Sequence, residues 1–131
     1  MKIILDTNVL ISAFVFGGNS AKSLEYSIEK CDVCISPWIL EELRRTLKEK
    51  FKISTQDVIR IEQILKSDFH LFLPHTKLPA ICRDKDDNHI LQLAESTHAD
   101  YIITGDKDLL VIHKYKKTEI LDPKRFLERV I

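Results

Sequence analysis

Lys2-Ile-Ile-Leu-Asp-Thr-Asn8 opens the chain. Ile3, Ile4 and Leu5 follow one another with no polar alternation, the pattern of a strand covered on both faces, as strands of parallel sheets are. The run stops at an acid, Asp6. Val9 to Phe16 is apolar enough for a buried helix, and Gly17-Gly18 then breaks it.

The same alternation repeats along the chain. Asn19-Ser20 is suited to cap a helix from Ala21 to Lys30 with Leu24 and Ile28 on one face. Val33 to Ser36 reads as a second strand. Ser36-Pro37 is a helix start, serine as cap and proline in the first turn, for a helix to about Lys50 with Leu40, Leu43 and Leu47 at helical spacing. Ser54 or Thr55 caps the next, to about Asp68, with Val58, Ile61 and Leu65 inward. A third strand is expected at Leu71 to Leu73, a loop from Pro74 to Asp86 and a helix from Asp87 to His98. A fourth strand follows at Tyr101 to Thr104 and a fifth at Glu119 to Leu121. Asp122-Pro123 then starts a final helix to about Val130. Strands alternating with helices predict an α/β domain, its mainly parallel sheet covered on both sides, with right-handed connections.

Composition narrows the class. The 131 residues suit one domain and bury enough surface for a core, with 44% hydrophobic residues. Twenty basic residues balance twenty acidic ones, which excludes nucleic-acid binding by bulk charge and leaves a local basic face or a metal. Cys31, Cys34 and Cys82 are too few and too odd for a disulfide framework, so a reducing cytoplasmic setting is expected. Val9 to Gly18 has the length of a signal-peptide core, but Asp6 precedes it and no positive start does. No segment approaches the roughly 20 apolar residues of a membrane span.

Ligands in open parallel sheets bind beyond the carboxyl ends of the strands, and acids recur there. Asp6 ends the first strand, and Asp106 and Asp108 follow the fourth. Glu42 lies about two turns into the helix after the second, and Asp84, Asp86 and Asp87 precede the helix that feeds the fourth. Brought together, such carboxylates repel unless cations sit between them. Hard oxygen donors select Mg²⁺ or Mn²⁺ over Zn²⁺, and a divalent ion among carboxylates suits phosphodiester hydrolysis. Each acid also has a plainer reading. Asp6 and Asp87 are suited to cap helices, Glu42 belongs to a charged face with Glu41, Arg44 and Arg45, and Asp106 and Asp108 are turn residues.

Four stretches resemble, in order, the motifs of PIN domains. They are Leu5-Asp-Thr-Asn-Val-Leu-Ile-Ser-Ala13, Ser36-Pro-Trp-Ile-Leu-Glu-Glu-Leu43, Arg83-Asp-Lys-Asp-Asp-Asn-His-Ile-Leu91 and Ile103-Thr-Gly-Asp-Lys-Asp-Leu-Leu110. The chain is most similar to stand-alone PIN proteins of the VapC toxin type. The resemblance implies a three-layer α/β/α sandwich with a central, mainly parallel sheet over residues 1–131, and Mg²⁺- or Mn²⁺-dependent endoribonuclease activity. It carries over Asp6, Glu42, Asp87 and Asp106 as the catalytic quartet. Asp6, Asp87 and Asp106 would hold metal, with Glu42, Asp108 and Asp84 as further ligand candidates and Asn8 and Thr104 orienting them. It also implies an RNA substrate, a small antitoxin partner and a homodimer, for which Trp38, Ile39 and Phe51 are candidate surface.

Arg44, Arg45, Lys48 and Lys107 are candidates for gripping RNA phosphates, as are the neighbouring Lys50 and Lys52 and a second run at Lys114, Lys116 and Lys117. Solvated helix ends explain such runs equally. Cys31-x-x-Cys34 lacks the second pair of a structural zinc site. Two other functions fit the same sequence: a catalytically weak module of the same fold binding RNA or protein, and phosphoryl transfer through Asp6. The latter usually wants a second acid where Asn8 stands.

Overall fold

Ile3, Ile4 and Leu5 are at most 1% exposed, because a strand lies on each side of them and helices lie above and below. The computed structural model describes all residues 1–131. The elements run β1 (Lys2–Leu5), α1 (Thr7–Val15), α2 (Gly18–Lys30), β2 (Asp32–Ile35), α3 (Pro37–Glu49), α4 (Thr55–Asp68) and β3 (His70–Leu71). After a loop and a 3-10 turn (Lys85–Asp87) come α5 (Asn88–Thr97), β4 (Tyr101–Ile103), α6 (Lys107–Leu110), β5 (Lys114–Tyr115), β6 (Thr118–Leu121) and α7 (Pro123–Val130).

The six strands lie in the order β3-β2-β1-β4-β6-β5, all parallel except β5. β1 is central, with Ile3 opposite Val33 of β2 on one side and Tyr101 of β4 on the other. The chain steps outward from β1 to β2 and β3, then returns past β1 to build β4 and β6. Right-handed crossovers therefore put α1 to α4 on one face of the sheet and α5 on the other. α1 packs on α2 and α3, α3 on α4, and α2 on α7, while α5 packs on β1 and β4. The result is an α/β/α sandwich with a mainly parallel sheet. The strand order reverses between β1 and β4, so a crevice opens beyond the carboxyl ends of those two strands.

Capping explains most helix starts. Ser36 Oγ accepts from the Ile39 amide at 3.2 Å, Ser54 Oγ from Asp57 at 3.1 Å, and Asp122 Oδ1 from Arg125 at 2.8 Å. The second helix differs from expectation. It begins at Gly18, with Gly17 at the cap position and no side-chain cap, so Asn19 and Ser20 lie inside its first turn. Gly17 and Gly18 have φ of +82° and +63°, a region open to glycine without a steric penalty, so the reversal takes only these two residues. In α4, Val58 and Leu65 are buried as expected, Ile61 is half-buried, and Glu62 is buried beside them.

Three further differences follow from tertiary pairing. β3 is only His70–Leu71, because these two residues alone pair with Cys34 and Ile35. α5 begins at Asn88 after the 3-10 turn rather than at Asp87. The fifth expected strand is the second arm of a hairpin, β5–β6, whose turn carries Lys116 at φ +54°. A lysine at positive φ gives no sequence cue, since such turns normally announce themselves with Gly or Asn. Two residues of the basic run there are taken by ion pairs, Lys116 with Glu95 of α5 at 3.3 Å and Lys117 with Asp100 at 3.7 Å. No helix is long and apolar enough to cross a membrane. Cys31, Cys34 and Cys82 are free thiols.

Candidate functional site

The crevice at the reversal of strand order collects the acids. Asp6 follows β1 directly and is the N-cap of α1. Its amide donates to the Ile103 carbonyl at 2.9 Å, so the sheet itself fixes its backbone. Its Oδ1 accepts from the Thr7 amide at 2.7 Å, and its Oδ2 accepts from Thr104 Oγ1 at 2.7 Å and from Asn8 Nδ2 at 3.3 Å. Thr104, fully buried at the end of β4, also accepts from the Asp106 amide at 3.0 Å. One hydroxyl thus joins two acids 100 residues apart. Asn8 Oδ1 accepts from the Gly105 amide at 3.3 Å and ties the loop after β4 to α1. Asp106 caps α6, its Oδ1 accepting from the Asp108 amide at 2.9 Å.

Asp87 arrives from the opposite face, at the junction of the 3-10 turn and α5. It is buried, makes no capping hydrogen bond, and its Oδ2 has no partner at all. The turn that presents it is held from below. Asn88 Oδ1 accepts from the Ile81 and Cys82 amides at 3.2 and 3.0 Å, and Asp84 Oδ1 from the Asp86 amide at 3.0 Å. Oxygens of Asp6, Asp87 and Asp106 lie within 4.8 Å of one another.

The electrostatic consequence is direct. Burial pushes the Asp6 carboxyl up to about 6, against the pull of the Thr104 and Thr7 hydrogen bonds, and Asp106 and Glu42 push it further. Burial also pushes Asp87, up to about 8, helped by the adjoining Asp106 carboxylate and by Asp6 and Asp84. A carboxyl that keeps its proton near neutrality for want of a counter-charge is in the state a divalent cation relieves. The donor set fits a hard ion: three carboxylates, an unpartnered buried oxygen, and no thiol or imidazole among them.

Glu42 lies beside this triad rather than in it. It lines the same cleft of about 200 Å³, and Arg45 holds its Oε2 at 3.1 Å. Its carboxyl is raised, chiefly by burial, with Arg45 pulling it back and Asp86 and Asp84 pushing it up. Asn8 and Asp84 line the cleft too, and so does Asp86. Asp108 does not; its Oδ1 faces the exposed Arg83 at 3.7 Å.

Among the candidate phosphate grips, Arg44, Arg45, Lys48 and Lys107 do not line the cleft. Arg44 is taken by Glu62 of α4, at 2.6 and 2.9 Å, and by Glu41 at 3.3 Å. Arg45 covers Glu42. Lys48 and Lys107 are exposed and make no ion pair. The lone basic side chain lining the cleft is Lys50. Lys50 belongs to the basic run named above, and spacing singles it out within that run: Trp38, Glu42, Thr46 and Lys50 stand four apart, so one stripe at α3 faces the acids. Trp38 stacks on His89 at 4.3 Å between ring centroids, 10° from parallel, joining α3 to α5 across the rim.

A PIN domain family model matches residues 2–108. An uncharacterized protein of Methanocaldococcus jannaschii is 35% identical over 142 aligned positions, covering 98% of this chain and 90% of that protein. Two solved structures share the fold. One, of VapBC2 from Rickettsia felis bound to a DNA fragment from their promoter, has a TM-score of 0.67 at 17% identity, covering 92% of this chain and 97% of that one. The other, of VapBC-1 from nontypeable Haemophilus influenzae, has 0.68 at 18%, covering 95% and 99%. With its motifs matched in order from β1 past Asp106, the chain belongs to the PIN domain family.

Proposed function

We propose that this chain is a metal-dependent endoribonuclease, with residues 1–131 acting as one catalytic domain. One observation carries the reading: the unpartnered, buried Oδ2 of Asp87 in a group of three carboxylates whose oxygens lie within 4.8 Å. Asp6, Asp87 and Asp106 would hold Mg²⁺ or Mn²⁺, with Glu42 and Asp84 nearby as further ligand candidates. Asp108, turned toward Arg83, is the weaker one. Such an ion, when bound, offsets the carboxylate charge, draws in a phosphodiester and acidifies water.

The chain's own residues supply the positioning. Thr104 and Asn8 hold Asp6 Oδ2, so that carboxylate does not rotate as charge builds up beside it. Glu42, raised and half-buried, is placed to orient the attacking water and take its proton. The water oxygen bonds to phosphorus in line, the bond from phosphorus to the 3′ oxygen breaks, and that oxygen takes a proton, leaving a 5′-phosphate and a 3′-hydroxyl.

The similarity in fold to chains of two VapBC assemblies supports a toxin role with a small antitoxin as partner; a homodimer is the working form in this reading, though not through Ile39, which is fully buried. A cytoplasmic setting agrees with three free thiols.

The test is cleavage of single-stranded RNA with and without Mg²⁺ or Mn²⁺, in the parent and in Asp6→Asn and Asp106→Asn. We expect strict metal dependence and losses of at least about 100-fold in both variants, the scale of removing a group that stabilises charge in the transition state. Variants that cut as fast as the parent sink the assignment. A parent that binds Mn²⁺ and RNA but cuts nothing marks the chain as a binding module instead.

A further inference from the structure

The acidic cleft does not end at Glu42. A second cavity, of about 290 Å³, continues from it along α1 and α3. The two share Asn8, Ile11, Thr46 and Lys50, so they form one trough. Phe16 and Phe51 wall its far end. Phe16 follows the last turn of α1, just before the glycine pair, and is 73% exposed. Phe51 is half-buried against the core. Their rings meet edge to face, 6.0 Å between centroids and 73° apart, so neither stacks its face on the other. Lys50 lies between the two ends. It is the only basic residue lining either cavity, and it makes no ion pair.

The trough therefore presents, in sequence, an acidic group that needs a cation, a free ammonium and an open aromatic surface. A nucleic-acid strand repeats the matching pair, an anionic phosphate and an apolar planar base. With one phosphate at the acids, the adjoining nucleotide brings its phosphate toward Lys50 and its base toward the phenyl pair. In a duplex the base faces are already stacked and hidden, so only an unpaired strand offers them. We infer that Phe16, Phe51 and Lys50 form a nucleotide subsite that holds single-stranded RNA by one base and one phosphate beside the cut. The inference deepens the nuclease reading and rests on it for the identity of the strand.

The test measures binding without turnover, in a Glu42→Gln background with Mn²⁺, by anisotropy of a 5′-labelled single-stranded RNA oligonucleotide and of the same strand annealed to its complement. Phe16→Ala is expected to weaken the single strand about tenfold, to leave the duplex unchanged, and to be rescued by Phe16→Trp. Lys50→Gln is expected to weaken binding and to lower the slope of log affinity against log salt by about one. Calorimetric Mn²⁺ affinity should be unchanged in both, which separates a lost subsite from a damaged metal centre. Unchanged single-strand affinity in Phe16→Ala overturns the subsite, as does an equal loss on duplex. If the parent cleaves RNA and Phe16→Ala retains its KM, the subsite fails and the nuclease stands. If the RNA binds in a Phe16-dependent way and is not cut by the parent, the nuclease fails and the subsite stands. Should Phe16→Ala affect only capture of a protein partner, the trough belongs to that partner and the RNA assignment is overturned.

Discussion

Asp87 shows how one side chain separates a structural role from a chemical one. Asp6 and Asp106 both cap helices, so the plain reading and the functional one hold together there. Asp87 sits at a helix start yet caps nothing and buries an oxygen without a partner. Removing its charge should therefore help the metal-free fold. The signs follow from the raised carboxyls. Asp6 and Asp87, at about 6 and about 8, bind protons more tightly folded than unfolded, where the ordinary value is about 4. Their contribution is fully favourable below that value and is lost as pH rises through about 6 and then about 8. In chelator, melting temperature should fall between pH 5 and pH 8, and Asp87→Asn should flatten that fall and melt higher than the parent at pH 8. Excess Mn²⁺ should raise the parent by about 10 °C at pH 8, from about 2.7 kcal/mol at a hundredfold excess over Kd, and leave Asp87→Asn unmoved. A metal-free parent equally stable at both pH values would remove the electrostatic basis for the centre. Thr104→Val keeps shape but removes the hydroxyl that joins Asp6 to the Asp106 amide. It should cost about 1–3 kcal/mol in urea unfolding and lower metal affinity about 10- to 100-fold by calorimetry.

At the scale of elements, α3 does two jobs on two faces. Leu43 and Leu47 are fully buried, while Trp38, Glu42, Thr46 and Lys50 line the cleft. Its start and its register are set by different contacts. Ser36 caps it, and Ser36→Ala should cost about 1 kcal/mol. Arg44 ties it to α4 through two hydrogen bonds to Glu62, which is buried and whose carboxyl that arginine holds below the usual range. Arg44→Ala leaves a buried acid unpaired and should cost about 1–2 kcal/mol at neutral pH, discounted because Arg44 is half-exposed. Since Glu62 is lowered, this stabilisation is present above its unfolded value near 4 and is lost as pH falls. Chemical unfolding at pH 7 and pH 3 checks both points: the parent should exceed Arg44→Ala at pH 7, and that margin should shrink at pH 3. RNA cleavage should survive the substitution, because Arg44 faces α4 rather than the cleft.

For the whole molecule, the order β3-β2-β1-β4-β6-β5 places the centre. β1 and β4 are adjacent, and the reversal between them brings Asp6 and Asp106 side by side. The crossover through α5 delivers Asp87 from the other face. The last element lies beyond the residues matched by the family model, which ends at 108, yet it closes the sandwich. Phe126 of α7 is fully buried and meets Tyr26 of α2 and Tyr101 of β4 edge to face at 5.8 and 6.0 Å. Phe126→Ala should cost about 3–5 kcal/mol in denaturant unfolding. That is a large share of the stability of a chain this size, so cleavage should be lost on mild heating rather than by any change at the acids. A variant as stable as the parent would show that α7 is dispensable.

Most elements were legible along the chain because they rest on local rules. Apolar runs mark buried strands, and a capping residue followed by a first-turn proline starts a helix at Ser36-Pro37 and Asp122-Pro123. The convergence of Asp6, Asp87 and Asp106 was legible as well, since Asp6 and Asp106 follow strands and Asp87 precedes a helix. Other features were settled by contacts between distant segments. The β5 arm and its lysine turn exist because β6 pairs back on them. Arg44 became a structural tie rather than a phosphate grip because α4 places Glu62 beside it. The separation of the quartet into a close triad and a flanking Glu42 depends on where two sheet faces meet. Local spacing sets which residues a helix or strand presents. Which of them share a cavity, and which charge is left there without a partner, is set by burial and by three-dimensional proximity, and neither is a property of adjacent residues.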